Sequence, residues 1–199
     1  MSEQRKGFLL RSHIVGESDL WVDFLDQSGA ILKLKARGAK RSKKRFPGGV
    51  LEPLQYISIH FEEKGSARYL LEAKIIDPFE GIRSDYDLVF WGSKLLQLTS
   101  FYAQEDLEEP LLFHLVGNTL KYLNQSGKNA EYAFWHFLAR LMSLQGDLAL
   151  EESYAPLVSH PVGAYDEASY KSFSWNMIKS RLASVFRGHF HRELQEFLS

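Results

Sequence analysis

Apolar and polar positions alternate along the N-terminal part of the chain. Leu20, Val22 and Phe24 recur at period two within Asp19–Asp26, and Ala30, Leu32, Leu34 and Ala36 alternate with Ile31, Lys33, Lys35 and Arg37. That period is the signature of half-buried strands. Phe8–Val15 is a further apolar run, and Ser28-Gly29 is a tight-turn signal between the second and third runs. Leu54–Phe61 and Ala67–Ile76 read as two more strands, joined by the loop Glu62-Glu-Lys-Gly-Ser66. Five short strands with mostly short links predict a small antiparallel barrel of the OB type, although an SH3-like barrel gives much the same pattern.

Beyond Pro78 the period changes to three-to-four, that of a helix. Leu88, Trp91, Leu95, Leu98 and Tyr102 form one such stripe within Asp85–Tyr102. Glu108-Glu-Pro110 is a helix start, with acids and proline in the first turn. Leu111, Leu112, Leu115, Val116, Leu120 and Leu123 supply its apolar face, and Ser126-Gly127 breaks it. Phe134, Phe137, Leu138, Leu141 and Met142 line a third stretch, Ala130–Leu144, which Gly146 ends. Glu151–Tyr165 reads as loop, followed by helical stretches near 167–186 and 188–198. The predicted class is α+β: a five-stranded antiparallel OB-type barrel over residues 1–80, then an all-helical domain over 81–199.

Composition narrows the chemistry. The 199 residues include no cysteine, which excludes disulfides, thiol catalysis, iron–sulfur clusters and cysteine-based zinc sites. It also suits a reducing cytoplasm. No apolar run approaches the ~20 residues that span a bilayer. Charges flank the short apolar stretch of the N-terminus on both sides, unlike a signal peptide.

Net charge is −1, yet the charges are unevenly spread. Between Gln27 and Leu51 there is no acidic residue, while Lys33, Lys35, Arg37, Lys40, Arg41, Lys43, Lys44 and Arg45 all fall there. The rest of the chain keeps 16 basic against 25 acidic residues, a net of −9. Such asymmetry points to a polyanionic partner. Lys33, Lys35 and Arg37 would project from one strand face about 7 Å apart, close to the phosphate spacing of an extended nucleic-acid strand. Gly38–Arg45 would add five charges on a flexible loop, enough for salt-sensitive, sequence-tolerant binding. Trp21, Phe46, Tyr56, Phe61 and Tyr69 are the aromatics available for stacking on bases. The plainer alternatives are a solvated surface loop and a site for an acidic protein tail.

Ala36-Arg-Gly-Ala-Lys-Arg-Ser-Lys-Lys-Arg45 resembles the basic motif of the RecO family of recombination mediators. Ala36, Arg37, Gly38, Lys40, Arg41, Lys43 and Arg45 match it, whereas Lys44 stands where the family often has serine. Gly16-Glu-Ser-Asp19, Gly49-Val-Leu-Glu-Pro-Leu54 and Glu109-Pro-Leu-Leu-Phe113 also resemble family elements, so the likeness covers most of Phe8–Gly146. The resemblance implies a cytoplasmic, nucleoid-associated DNA-repair protein with an OB-fold and a helical C-terminal domain. It implies binding of single- and double-stranded DNA, strand annealing, and work with RecR to load RecA onto strands coated by single-stranded-DNA-binding protein (SSB). It also implies a helical-domain site for the SSB C-terminal tail. Such a site needs an apolar pocket rimmed by positive charge, for which Lys121 and Arg140 are candidates, against the plainer reading of ordinary surface charge. The four-cysteine zinc module of many members is absent here, and no cofactor is expected.

A mediator of this kind needs no catalytic residue, and the chain reads as a non-enzyme. The rival reading is a protein–protein adaptor whose basic loop grips an acidic partner; a third is an enzyme acting on nucleic acid. His189-Phe-His191 would point its rings apart on a helix, so surface histidines are expected there, and His114 and His136 are expected at the edge of the core. Asp19 and Asp23 share a strand face but Asp26 does not, which argues against a two-metal nuclease site. Gly48-Gly49 lacks the Lys-Ser/Thr of a phosphate-cradling loop, and no nucleophile elbow is present.

Overall fold

A computed structural model of the chain describes residues 2–125, 128–148, 155–164 and 175–189. Five strands come first: β1 (Ser2–Val15), β2 (Asp19–Asp26), β3 (Ile31–Ala36), β4 (Tyr56–Lys64) and β5 (Ala67–Asp77). They close into a barrel in the order β1-β2-β3-β5-β4. Leu9, Val22, Phe24, Leu34, Ile57, Ile59, Phe61 and Leu70 fill its interior, as the period-two alternation requires.

The barrel is mixed, not purely antiparallel. β3 and β5 run parallel, in register at Lys35 and Tyr69. Directions can alternate all the way round a closed ring only if the number of strands is even, so a five-stranded barrel must hold one parallel pair. β1 is also longer than the apolar run suggested. Its first half pairs with β4 from Ser2↔Glu62 to Phe8↔Tyr56, and its second half with β2 from Gly7↔Asp26 to Val15↔Asp19. Ser2–Lys6 is mostly exposed, so it carries no hydrophobic signal and becomes strand through pairing with β4.

The helices are α1 (Glu80–Arg83), α2 (Tyr86–Tyr102), α3 (Pro110–Leu123), α4 (Ala130–Leu144), α5 (Ala155–Ser159) and α6 (Trp175–His189). Asp85 caps α2 by accepting from the Asp87 and Leu88 amides, and Asn129 caps α4 through the Tyr132 amide. Pro110 sits in the first turn of α3, where its missing N–H costs nothing. The stretch read as loop contains the short helix α5. Gly188 and His189 belong to α6. The expected helix over 190–198, the start of the one from 167, and His191 lie outside the described residues.

One apolar core joins the barrel wall to the helices. Phe8, Leu10, Leu25, Ile31 and Leu54 pack with Leu95, Leu112, Val116, Phe134 and Phe137. The β2–β3 turn is part of this joint. Gly29 has φ +85°, and a Cβ there would lie 1.9 Å from the Glu109 carbonyl oxygen, so only glycine lets the start of α3 approach. The Ile31 amide donates to the Gln104 carbonyl at 3.2 Å, and the Asp106 amide donates to the Ile31 carbonyl at 3.3 Å. The α2–α3 connection thus docks against the start of β3.

Candidate nucleic-acid interface

The basic segment between β3 and β4 is pinned rather than flexible. Ala39, Phe46, Val50 and Leu51 are buried with the barrel interior and anchor the segment across one end of the barrel. Gly38 turns the chain in the left-handed region, at φ 62°, and its amide donates to Asp19 Oδ1 at 2.8 Å. The Lys40 amide donates to the Ser18 carbonyl at 3.1 Å, and the Ala73 amide to the Arg45 carbonyl at 3.1 Å. The Gly38 amide, with help from Lys35 and Arg37, holds the Asp19 carboxyl below its ordinary range.

The eight cations of β3 and the segment that follows it fall into three groups. Lys33, Lys35 and Arg41 are ion-paired, with Glu105 at 3.0 Å, Asp19 at 3.5 Å and Glu17 at 3.1 Å. The Lys33 and Arg41 pairs are exposed and the Lys35 pair is half-buried; surface pairs are worth roughly 0–1 kcal/mol, so a phosphate can displace the carboxylate most readily from Lys33 and Arg41. Lys33 makes the shortest of the three contacts, and its partner Glu105 also approaches Arg68, which bonds Glu63 and Asp106 at 2.8 Å each. Arg37 and Arg45 form the second group. The Arg37 guanidinium lies over the Tyr69 ring, 4.3 Å from its centroid, and donates to the Tyr69 hydroxyl at 3.1 Å. Arg45 lies 5.1 Å over Phe46 and donates to the Arg37 carbonyl at 2.8 Å. Lys40, Lys43 and Lys44 are exposed and, among the described residues, have no ion-pair partner.

Two depressions flank this surface. One, of about 320 Å³, is lined by Lys35, Arg37, Arg45, Glu62, Lys64 and Tyr69 at the β3–β5 seam. The other, of about 570 Å³, runs past Lys40, Lys43, Phe46, Pro47 and Glu52. Lys64 was invisible to the sequence pattern, because only barrel closure carries the β4–β5 hairpin to β3. The aromatic candidates separate as well. Phe46 and Phe61 are buried in the barrel interior and cannot meet a base. Tyr56 packs on Phe8 beside the helices, at 5.1 Å between rings. Tyr69 stands in the basic groove, and Trp21, half-buried, is paired with Lys35 in the β2–β3 register.

The three aspartates do structural work. Asp19 holds Gly38, Asp23 pairs with Arg11 at 2.5 Å, and Asp26 accepts from the Ser28 amide and hydroxyl. No group of three or more metal-ligating side chains occurs among the described residues, and with no cysteine the chain has no ligands for a cysteine zinc module.

In the helical part, Lys121 and Arg140 border two neighbouring cavities that share His114 and Asn118. Lys121 borders a cavity of about 140 Å³ with Phe8, Tyr56, Phe79 and Phe113. Arg140 borders a cleft of about 310 Å³ with Leu111, Leu115, Leu144, Val158 and Val162, and donates to the His160 carbonyl at 3.1 Å. His136 lines the same cleft but is fully buried. Its Nε2–H donates to the His160 carbonyl at 2.9 Å, and Nδ1 has no hydrogen-bond partner among the described residues. Burial pulls its pKa down to about 4. His114 is exposed.

Residues 1–79 match the family model described as recombination protein O N terminal. The DNA repair protein RecO of Syntrophobacter fumaroxidans is 33% identical over 149 residues, covering 73% of this chain and 58% of that protein. The protein of the same name from Thermodesulfovibrio yellowstonii is 32% identical over 133 residues, covering 66% and 53%. The one from Halalkalibacterium halodurans is 28% identical over 125 residues, covering 63% and 49%. The chain therefore spans about half the length of these curated relatives. No helix among the described residues is long and apolar enough to cross a membrane.

Proposed function

The chain belongs to the RecO family, and from that premise we propose that it is a DNA-repair and recombination mediator that binds single- and double-stranded DNA through the basic surface of its barrel. The observation that carries this reading is the trio Lys40, Lys43 and Lys44, exposed and without an ion-pair partner among the described residues, on a segment whose backbone is pinned. A pinned backbone confines the ordering cost of binding to the lysine side chains, and each phosphate neutralised releases counterions. Contacts of this type read no sequence, as a mediator requires. Lys35, Arg37, Arg41 and Arg45 extend the surface, with Lys33 at its margin.

Dense positive charge lowers the repulsion between two strands, so the same surface supports annealing. In this reading the protein acts with RecR to assist RecA loading on SSB-coated strands, in the cytoplasm at the nucleoid, without catalysing a reaction. The SSB C-terminal tail, acidic and hydrophobic, would seat in the cleft beside Arg140, with Lys121 on the neighbouring cavity that shares His114 and Asn118 with it.

The test titrates fluorescent single-stranded oligonucleotides of unrelated sequence across a salt series, then measures annealing of complementary SSB-coated strands. Tight binding at low salt with a steep inverse salt slope is expected. Absence of binding at low salt overturns the reading and favours an adaptor whose basic loop grips an acidic protein.

A further inference from the structure

The groove at the β3–β5 seam holds more than charge. β3 and β5 are in register only at Lys35 and Tyr69, and lower down β3 pairs with the segment at Glu105 instead. The parallel pair that an odd-numbered barrel cannot avoid is therefore its weakest closure, and it opens into the basic groove of about 320 Å³. At its mouth the exposed Arg37 guanidinium is backed on one side by the Tyr69 ring. The Tyr69 hydroxyl fixes one guanidinium nitrogen, and Arg45 holds the Arg37 carbonyl. The plane is thus oriented before any ligand arrives.

We propose that Arg37, backed by Tyr69, is a stacking platform for one unpaired nucleobase, and that it makes this surface prefer single strands to duplex. The proposal rests on the reading of the basic surface as a nucleic-acid interface. A guanidinium plane stacks on a base as an aromatic ring does, and every base offers a π-face, so the contact is sequence-tolerant. Arg45, Lys35 and Lys64 line the same groove with Glu62; a phosphate beside the stacked base would meet Arg45 directly, and Lys35 and Lys64 by displacing Asp19 at 3.5 Å and Glu62 at 2.6 Å. A duplex keeps its bases paired and offers this groove only its backbone. Phosphate contacts then serve both forms, while the platform serves the single strand alone.

The decisive variant is Arg37→Lys, which keeps the charge and removes the plane; Tyr69→Leu removes the backing ring. The probes are a single-stranded oligothymidine, an abasic strand of equal length and a duplex. Arg37→Lys is expected to weaken oligothymidine binding about tenfold, the size of one base stack, while duplex binding changes less than about twofold and the salt slope stays put. Wild-type protein should bind the abasic strand as weakly as Arg37→Lys binds oligothymidine. Equal losses on single strand and duplex, or no loss, overturn the proposal. The Lys40→Gln, Lys43→Gln, Lys44→Gln triple variant separates the two readings. If it alone loses affinity, the platform fails and the interface stands; if it too binds like wild type, the interface itself fails. Far-ultraviolet circular dichroism and melting temperature identify any variant that misfolds, and Tyr69→Phe, which keeps the ring, should retain the single-strand preference.

Discussion

Neutralising Lys40, Lys43 and Lys44 to glutamine removes the three exposed lysines of the segment that have no ion-pair partner among the described residues. Each phosphate contact on a single strand contributes about 0.7 to the slope of log affinity against log salt, so losing three lowers the slope by about 2. Over a fourfold rise in salt, from about 50 to about 200 mM, that difference amounts to about 20-fold in affinity. Wild-type binding should therefore fall about 20-fold further across that range than the variant's. Neutralising Lys33 and Lys35 should lower the slope less, because each already holds a carboxylate, Glu105 or Asp19, that a phosphate must displace, so the net gain of the exchange is small. The assay is fluorescence anisotropy of a labelled oligonucleotide at four or more salt concentrations. Exposed lysines away from the core leave stability within about 0.5 kcal/mol, so thermal melts should overlay. An unchanged slope in a folded triple variant would refute the assignment of these lysines to phosphates.

Asp19→Asn should loosen the turn at Gly38. The Asp19 carboxyl is held below its ordinary 3.8, so its contribution is full above that pH and fades as the pH falls through the lower folded value. The stability difference between wild type and variant, followed by thermal melting from neutral to strongly acid pH, should shrink on acidification; a gap that grows there contradicts the bond. His136 titrates at about 4 in the fold against 6.5 unfolded, so the unfolded chain binds the proton first and stability drops as the pH falls between those values. The loss is about 3 kcal/mol by linkage, and His136→Gln should abolish that part of the pH dependence of chemical denaturation. Gly29→Ala places a Cβ 1.9 Å from the Glu109 carbonyl at a positive φ, and should cost well over about 1 kcal/mol in urea denaturation. A neutral result would mean that the joint between barrel and α3 is not close-packed.

Much of the molecule could be read from its letters because the relevant signals are local. Alternation over Ala30–Arg37 reports which side chains face inward, and Leu32, Leu34 and Ala36 do line the barrel. The three-to-four spacing over Asp85–Tyr102 reports a helix stripe, and Asp85 is its cap. The cluster of eight cations is a property of the chain alone. The separation of those cations into paired, stacked and free was not legible. It depends on Glu105, Glu17 and Tyr69, which lie far from their partners in sequence and reach them only once the barrel closes.

What the amino-acid order determined alone is the period of each element and the concentration of charge in β3 and the segment after it. Tertiary structure decided that the ring closes through a parallel seam, that the basic segment is anchored by Phe46, Val50 and Leu51, and that Arg37 lies on Tyr69. The physical reason is range. Periodicity reflects which face of one element meets water, whereas closure and ion pairing depend on which distant elements bury each other.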